Sequence, residues 1–218
     1  HDKLTVRRQE TGLPKGHHQS FPFQFREGNE QFLVYESSTS QTVPLYRFNG
    51  ETEEWCRVRD LLSSISLADP VVFKKEGLWW LFGTVDLTDT DEHNTTLVAF
   101  YATELESDEF KPHSLNPLYT DASISRNAGL IWSEETVIRC HQRHSWNQYG
   151  SGLGMRVIRQ LTPDKFDEAD IGALDPPKAL GAKGIHTLSI DDEWMAVDVF
   201  ARPRVVQKLL RTLPLTRL

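Results

Sequence analysis

One pattern recurs four times along the chain. A polar residue precedes a short apolar run, a tight polar turn follows, and a second apolar run completes the unit. The units open at His18, Asp69, Arg126 and His186, at spacings of 51, 57 and 60 residues. The first holds Phe21-Pro22-Phe23 and then Phe32 to Glu36; the second holds Val71-Val72-Phe73 and then Leu78-Trp79-Trp80-Leu81-Phe82. The third pairs Leu130-Ile131-Trp132 with Val137 to Arg139, and the fourth pairs Ile185 to Ile190 with Trp194 to Val197. A strand pair alone is marginal, so units of this kind must stack on one another to bury a core. A period of ~50 residues holding about four strands is the size of a β-propeller blade. A β-sandwich also has regularly spaced strands, but the shared opening favours the propeller.

The rest of the chain agrees with an all-β reading. Further short runs lie at Val43–Phe48, Leu97–Tyr101, Met155–Ile158 and Trp194–Phe200, with turn residues between runs such as Asn49-Gly50 and Lys75-Glu76-Gly77. Only Asp60 to Ser66 and Val205 to Leu213 carry a helical period. The expected organisation is a propeller domain over residues 1–200 and a basic tail or short helix over 201–218. That tail could meet an anionic membrane or a partner surface, but a short helix packed on the propeller is favoured. The charge balance is −7, which gives no electrostatic case for nucleic acid. No apolar run approaches the ~18 residues of a membrane span. The two cysteines, Cys56 and Cys140, are too few for a disulfide scaffold and are expected as free thiols, which slightly favours a cytoplasmic setting. Asn94-Thr95-Thr96 fits a glycosylation sequon, which has meaning only in a secreted chain.

In a propeller the first strand of each blade lines the central channel. The four openings would therefore converge at one mouth as a ring of one carboxylate, one guanidinium and two imidazoles. Arg126 and Arg139 suit a bidentate grip on a phosphate or carboxylate. The competing use is an ion pair with Asp69 or Glu36, which would count against hydrolysis. His141 and His144 resemble a ligand pair, but three residues apart on a strand they face opposite ways, so no metal is expected there. Among the aromatics, Trp79 and Trp80 sit mid-strand, where at least one packs between blades. Trp146 and Tyr149 lie in the Gly-rich stretch 145–154, read as a loop over a binding face, and are the better ligand contacts.

Taken in order, these motifs resemble the N-terminal domain of the glucosamine inositolphosphorylceramide transferase family. The resemblance is carried by His18-x-Ser20-Phe21-Pro22-Phe23, with Phe21 where the family has Tyr, and by Glu36, Asp69 and Trp79-Trp80. It continues through Pro112-His113, Asn116-Pro117, Arg126-Asn127-Ala128-Gly129, Arg139 with Gln142, Tyr149-Gly150, Leu161-Thr162, Glu168 and Gly184-Ile185-His186-Thr187. It implies a five-bladed β-propeller of glycosidase-like architecture, of which about four blades are counted here, with the first expected upstream of His1. The family's transferase domain has no counterpart in this chain, so transferase activity is not carried over.

The resemblance implies a carbohydrate-active or carbohydrate-binding domain acting on a glycan or sugar phosphate. Its catalytic candidates are Asp69, Glu36 and Glu168, since glycosidases pair an acid with a base or nucleophile. Its substrate-binding candidates are His18, Arg126, Arg139, Gln142, Trp146, Tyr149 and His186. No cofactor is expected, apart from a calcium at the channel suggested by the context of His186; calcium prefers oxygen ligands. The expected partner is a companion transferase. The competing reading is a non-catalytic scaffold beside such an enzyme. An open mouth with Asp69 and a second acid free of arginine partners would favour catalysis.

Overall fold

A computed structural model describes residues 12–16, 18–37, 40–88, 93–133, 136–145, 148–190 and 195–201. The expected tail from residue 202 onward and the side chain of Trp146 lie outside the described residues. The domain is almost wholly β. Blade I is β1 (Ser20–Glu27), β2 (Glu30–Glu36), β3 (Thr42–Asn49) and β4 (Glu54–Ser63). Blade II is β5 (Ala68–Lys75), β6 (Leu78–Val85), β7 (Thr96–Ala102) and β8 (Lys111–Pro112), with β9 (Tyr119–Thr120) also on β7. Blade III is β10 (Asn127–Ser133), β11 (Thr136–Ser145), β12 (Gln148–Thr162) and β13 (Lys165–Leu174). After a single 3-10 turn at Lys178–Leu180 come β14 (Ala182–Ile190) and β15 (Met195–Ala201), the described strands of a fourth sheet. Every sheet runs in chain order with antiparallel neighbours. The first strands meet in succession, β1 against β5, β5 against β10 and β10 against β14.

The faces between blades hold the core. The second strands are buried on both faces, which is why Phe32-Leu33-Val34-Tyr35 and Trp79-Trp80-Leu81-Phe82 read as unbroken apolar runs. One core joins blades I, II and III through Phe25, Phe32, Leu45, Val72, Phe73, Trp79, Phe82, Leu130 and Ile158. A smaller one joins blades III and IV through Ala128, Cys140, Leu153, Ile185 and Leu188. Trp79 packs on Phe25 of blade I at 5.7 Å, while Trp80 packs on Tyr101 at 5.5 Å and His113 at 6.0 Å. Both tryptophans are therefore wedges between strands and blades, each ring removing ~150–250 Å² from water.

The start of each first strand is bulged. The register breaks between Ser20 and Phe23, Ala68 and Val71, Asn127 and Gly129, and twice in β14. Phe21 and Asp69 both take positive φ, +48° and +47°, and each is followed by proline. Proline cannot donate to a ladder, so a bulge is where it is tolerated within a strand. A bulge bends the strand and re-aims the adjacent side chain. The repeated opening in the sequence is thus a repeated bulge, and it points polar residues at one end of the channel.

Two local expectations are corrected. Asp60 to Ser66 is not helical: it is the end of β4 and the turn after it. β4 is the outermost strand of its blade, half in water, so its apolar spacing is loose enough to imitate a helix. The Gly-rich stretch 145–154 is not an open loop, because Gln148 to Gly154 forms the first half of β12. Gly154 lies opposite His141 and Gly152 opposite Arg143. A Cβ on Gly154 would fall 2.2 Å from His141 Nε2, and one on Gly152 would meet the Arg143 guanidinium. The glycines make room for two large side chains of β11.

Candidate functional site

The polar cluster at the bulged ends is built from all four sheets. Asp69 is almost wholly buried. Arg126 Nε donates to its Oδ2 at 2.5 Å, and Gln142 Nε2 donates to the same oxygen at 2.9 Å. The backbone N–H of Asp69 donates to Glu36 Oε2 at 3.2 Å, and Asn127 Nδ2 donates to the Asp69 carbonyl at 3.0 Å. Arg126 Nη2 lies 3.8 Å from Glu36 Oε2, and its Nη1 donates to Asn94 Oδ1 at 2.8 Å. One guanidinium therefore bridges the two acids, Asp69 from blade II and Glu36 from blade I. His186 from β14 stands 4.0 Å from Asp198 of β15 and also feels the charges of Arg126 and Glu36. Burial and Arg126 together hold its imidazole below the usual range.

Burial dominates at Asp69. Removal from water pushes its carboxyl up to about 7, against the downward pull of Arg126. The fold therefore disfavours the Asp69 anion relative to the unfolded chain. Its contribution to stability is fully present below about pH 4 and is lost as pH rises toward 7. Asp69→Asn keeps the shape and removes the titration. The stability of the variant relative to wild type is expected to rise between pH 4 and 7, by at most about 1.4 kcal/mol per pH unit. Melting curves of both proteins across that range check this. A difference that does not change with pH would refute the burial effect.

A second polar cluster lies inside blade III. Glu168 has no exposed side-chain surface, and neither has Arg139. Arg139 Nη2 donates to Glu168 Oε1 at 2.6 Å and Nε donates to Oε2 at 3.0 Å, a two-point grip. Arg156 Nε stands 2.7 Å from Glu168 Oε1. Both guanidinium groups also lie 5.9 Å from the Tyr119 ring centre. Arg139 reaches the mouth only through Asn127, whose Oδ1 accepts from Nη1 at 3.4 Å while its Nδ2 holds Asp69. Beside this cluster, His141 is buried with neither ring nitrogen hydrogen-bonded, and burial and Arg139 push it down to about 4.

The structure thus brings together Asp69, Glu36, Arg126, Gln142 and His186 of the expected site residues. It places Arg139 and Glu168 one layer away, sealed against each other. His18 is exposed, with no hydrogen bond or ion pair to the cluster among the described residues. Tyr149 lies on β12 next to Gly150, whose Cα faces the Ile185 carbonyl and the His186 ring. The sequence reading gave no role at the site to Asn127, Arg156 or Tyr119, and took Asn94 only as part of a glycosylation triplet. Asn127 had a signal, since it stands inside the Arg-Asn-Ala-Gly motif. The other three had none, because only the packing of neighbouring blades brings them in. Among the described residues no cluster of three or more His, Cys, Asp or Glu is arranged to hold a metal. No helix among them is long and apolar enough to cross a membrane.

Antiparallel blades in chain order, whose first strands meet in succession, define a β-propeller. A xylan β-1,4-xylosidase from Bacillus halodurans C-125 superposes with a TM-score of 0.60 at 14% identity, covering 87% of this chain and 38% of that one. A Halalkalicoccus jeotgali inulosucrase bound to kestose gives 0.54 at 14% identity, covering 75% and 52%. At these identities the likeness shows the fold. In sequence, glucosamine inositolphosphorylceramide transferase 1 of Oryza sativa subsp. japonica is 27% identical over 189 residues, covering 84% of this chain. The chain spans only 25% of that relative's length. The family model described as glucosamine inositolphosphorylceramide transferase 1, N-terminal, matches residues 3–184, and the chain belongs to that family.

Proposed function

We propose that this propeller recognises a carbohydrate at the Asp69–Arg126 mouth and serves a companion glycosyltransferase rather than hydrolysing glycans itself. The observation that carries the reading is the Arg126 bridge between Asp69 and Glu36. Both acids that could work as a pair are engaged with one cation, and the third, Glu168, has no exposed side-chain surface. What remains at the mouth is a set of directed donors and acceptors on a stiff frame, which suits hydroxyl recognition. The family membership and the sugar-processing proteins that share the fold support a carbohydrate ligand.

One observation favours a second reading. A carboxyl pushed up to about 7 is half protonated at neutral pH, as a general acid must be. Glycoside hydrolysis with Asp69 as acid and Glu36 as its partner would follow. A glycan array separates the two readings. Binding without release of reducing sugar, weakened at least tenfold by Arg126→Lys and by His186→Ala but not by Arg159→Ala at an exposed position of β12, is the expected result. Release of sugar that vanishes in Asp69→Asn would establish the second reading. Absence of binding to any glycan would overturn the first.

A further inference from the structure

The channel has another end. β1, β5 and β10 all start at the polar mouth, so their last residues lie six or seven positions further along, roughly 20 Å away at ~3.3 Å per residue. There a cavity of about 410 Å³ opens, lined by Phe25, Arg26, Val72, Phe73, Lys74, Trp79 and Trp132. Small-molecule sites commonly measure ~300–1,000 Å³ and combine apolar walls with few polar groups. This cavity fits that description on both counts.

Its walls and its charges are specific. Phe25 and Trp79 are buried and packed 5.7 Å apart, giving a fixed aromatic wall. Trp132 stands opposite in blade III, 43% exposed, beside Phe23 at 6.1 Å. Trp132 rests on Phe23 with part of its ring still exposed, which leaves a face for a stacking partner. The buried Nε1–H of Trp79 also has no acceptor among the described residues. Two cations border the cavity, and they differ. Lys74 is committed, with its ammonium 5.2 Å from the Trp79 ring centre and 3.0 Å from Glu27. Arg26 is exposed and makes no side-chain hydrogen bond or ion pair among the described residues. In a chain of net charge −7, a free guanidinium beside aromatic walls is a local anion anchor.

We infer that this far end is a second binding site, for a flat ring-bodied small molecule carrying one carboxylate or phosphate. The ring stacks against Trp132 and the Phe25–Trp79 wall, and the anion takes the Arg26 fork. The site uses none of the residues of the polar mouth and does not depend on the reading given to it.

Phenyl phosphate is a suitable probe, with phenol and inorganic phosphate as its two halves. Calorimetry with the whole chain is expected to show saturable 1:1 binding of phenyl phosphate and at least tenfold weaker binding of either half. Trp132→Ala and Arg26→Ala each remove an exposed side chain, so the fold should persist; each is expected to weaken binding at least tenfold, while Arg159→Ala does not. Amide and indole NMR shifts should localise to Phe25, Lys74 and Trp132. Absence of saturable binding, wild-type affinity in either variant, or loss of binding on Arg126→Lys instead of Arg26→Ala would overturn the site.

Discussion

Replacing Arg139 by methionine is expected to destabilise the domain by about 3–5 kcal/mol, because it leaves a carboxylate buried with half its partners gone. Glu168 has no exposed side-chain surface and receives two hydrogen bonds from Arg139. Arg156 remains beside it, but that side chain is 17% exposed and its Nε makes no hydrogen bond to the carboxylate. Methionine fills much of the arginine volume, so the loss is electrostatic rather than a cavity. For a domain of this size the shift in melting temperature is roughly 10 °C. Adding Glu168→Leu should restore most of the loss, since removing both members of a buried pair is often close to neutral. A single variant that melts like wild type would show that the pair is not sealed as described. The consequence reaches the mouth as well. Arg139 fixes the Asn127 amide, and Asn127 holds the Asp69 carbonyl, so a double variant that regains stability should still show weakened ligand binding.

This layering explains which parts of the molecule were legible in the sequence. First and second strands are buried on one or both faces, and Phe32-Leu33-Val34-Tyr35 or Trp79-Trp80-Leu81-Phe82 announces itself. Outermost strands do not: β4 and β13 are half in water, and in Lys165-Phe166-Asp167-Glu168 the inward position after Phe166 is a glutamate, which breaks the apolar alternation. The bulge openings were legible because proline or glycine must stand there, and three of the four openings, Asp69, Arg126 and His186, do share the mouth. Sequence order cannot say which blade face a side chain takes. For that reason Glu168 read as a mouth acid although it points into blade III, and Asn94 read as a glycosylation triplet although its amide holds Arg126. The partner of Arg126 was open in the sequence between a ligand and an acid; burial of Asp69 decides for the acid.

Gly129→Ala tests whether the ring of strands depends on one backbone approach. Gly129 has φ +127°, which L side chains rarely adopt. A Cβ there would fall 2.2 Å from the carbonyl oxygen of Leu188 on β14. That obstacle is backbone, so it cannot rotate away; β10 and β14 would have to part. Backbone strain of about 1–3 kcal/mol adds to the lost packing of Ala128, Ile185 and Leu188. A total above about 4 kcal/mol is expected, in the range reserved for disrupted cores. Gly77→Ala supplies the comparison: it has φ +79° at a hairpin turn, with nothing within 4 Å of the added carbon. It carries the conformational strain alone, about 1–2 kcal/mol. If the two variants melt together, the close approach contributes nothing. If Gly129→Ala melts well below Gly77→Ala, the packing of blade III on blade IV is set by that contact. The same approach also sets how near His186 of β14 comes to Arg126 just ahead of β10, so any folded fraction of Gly129→Ala should have lost ligand binding at the mouth.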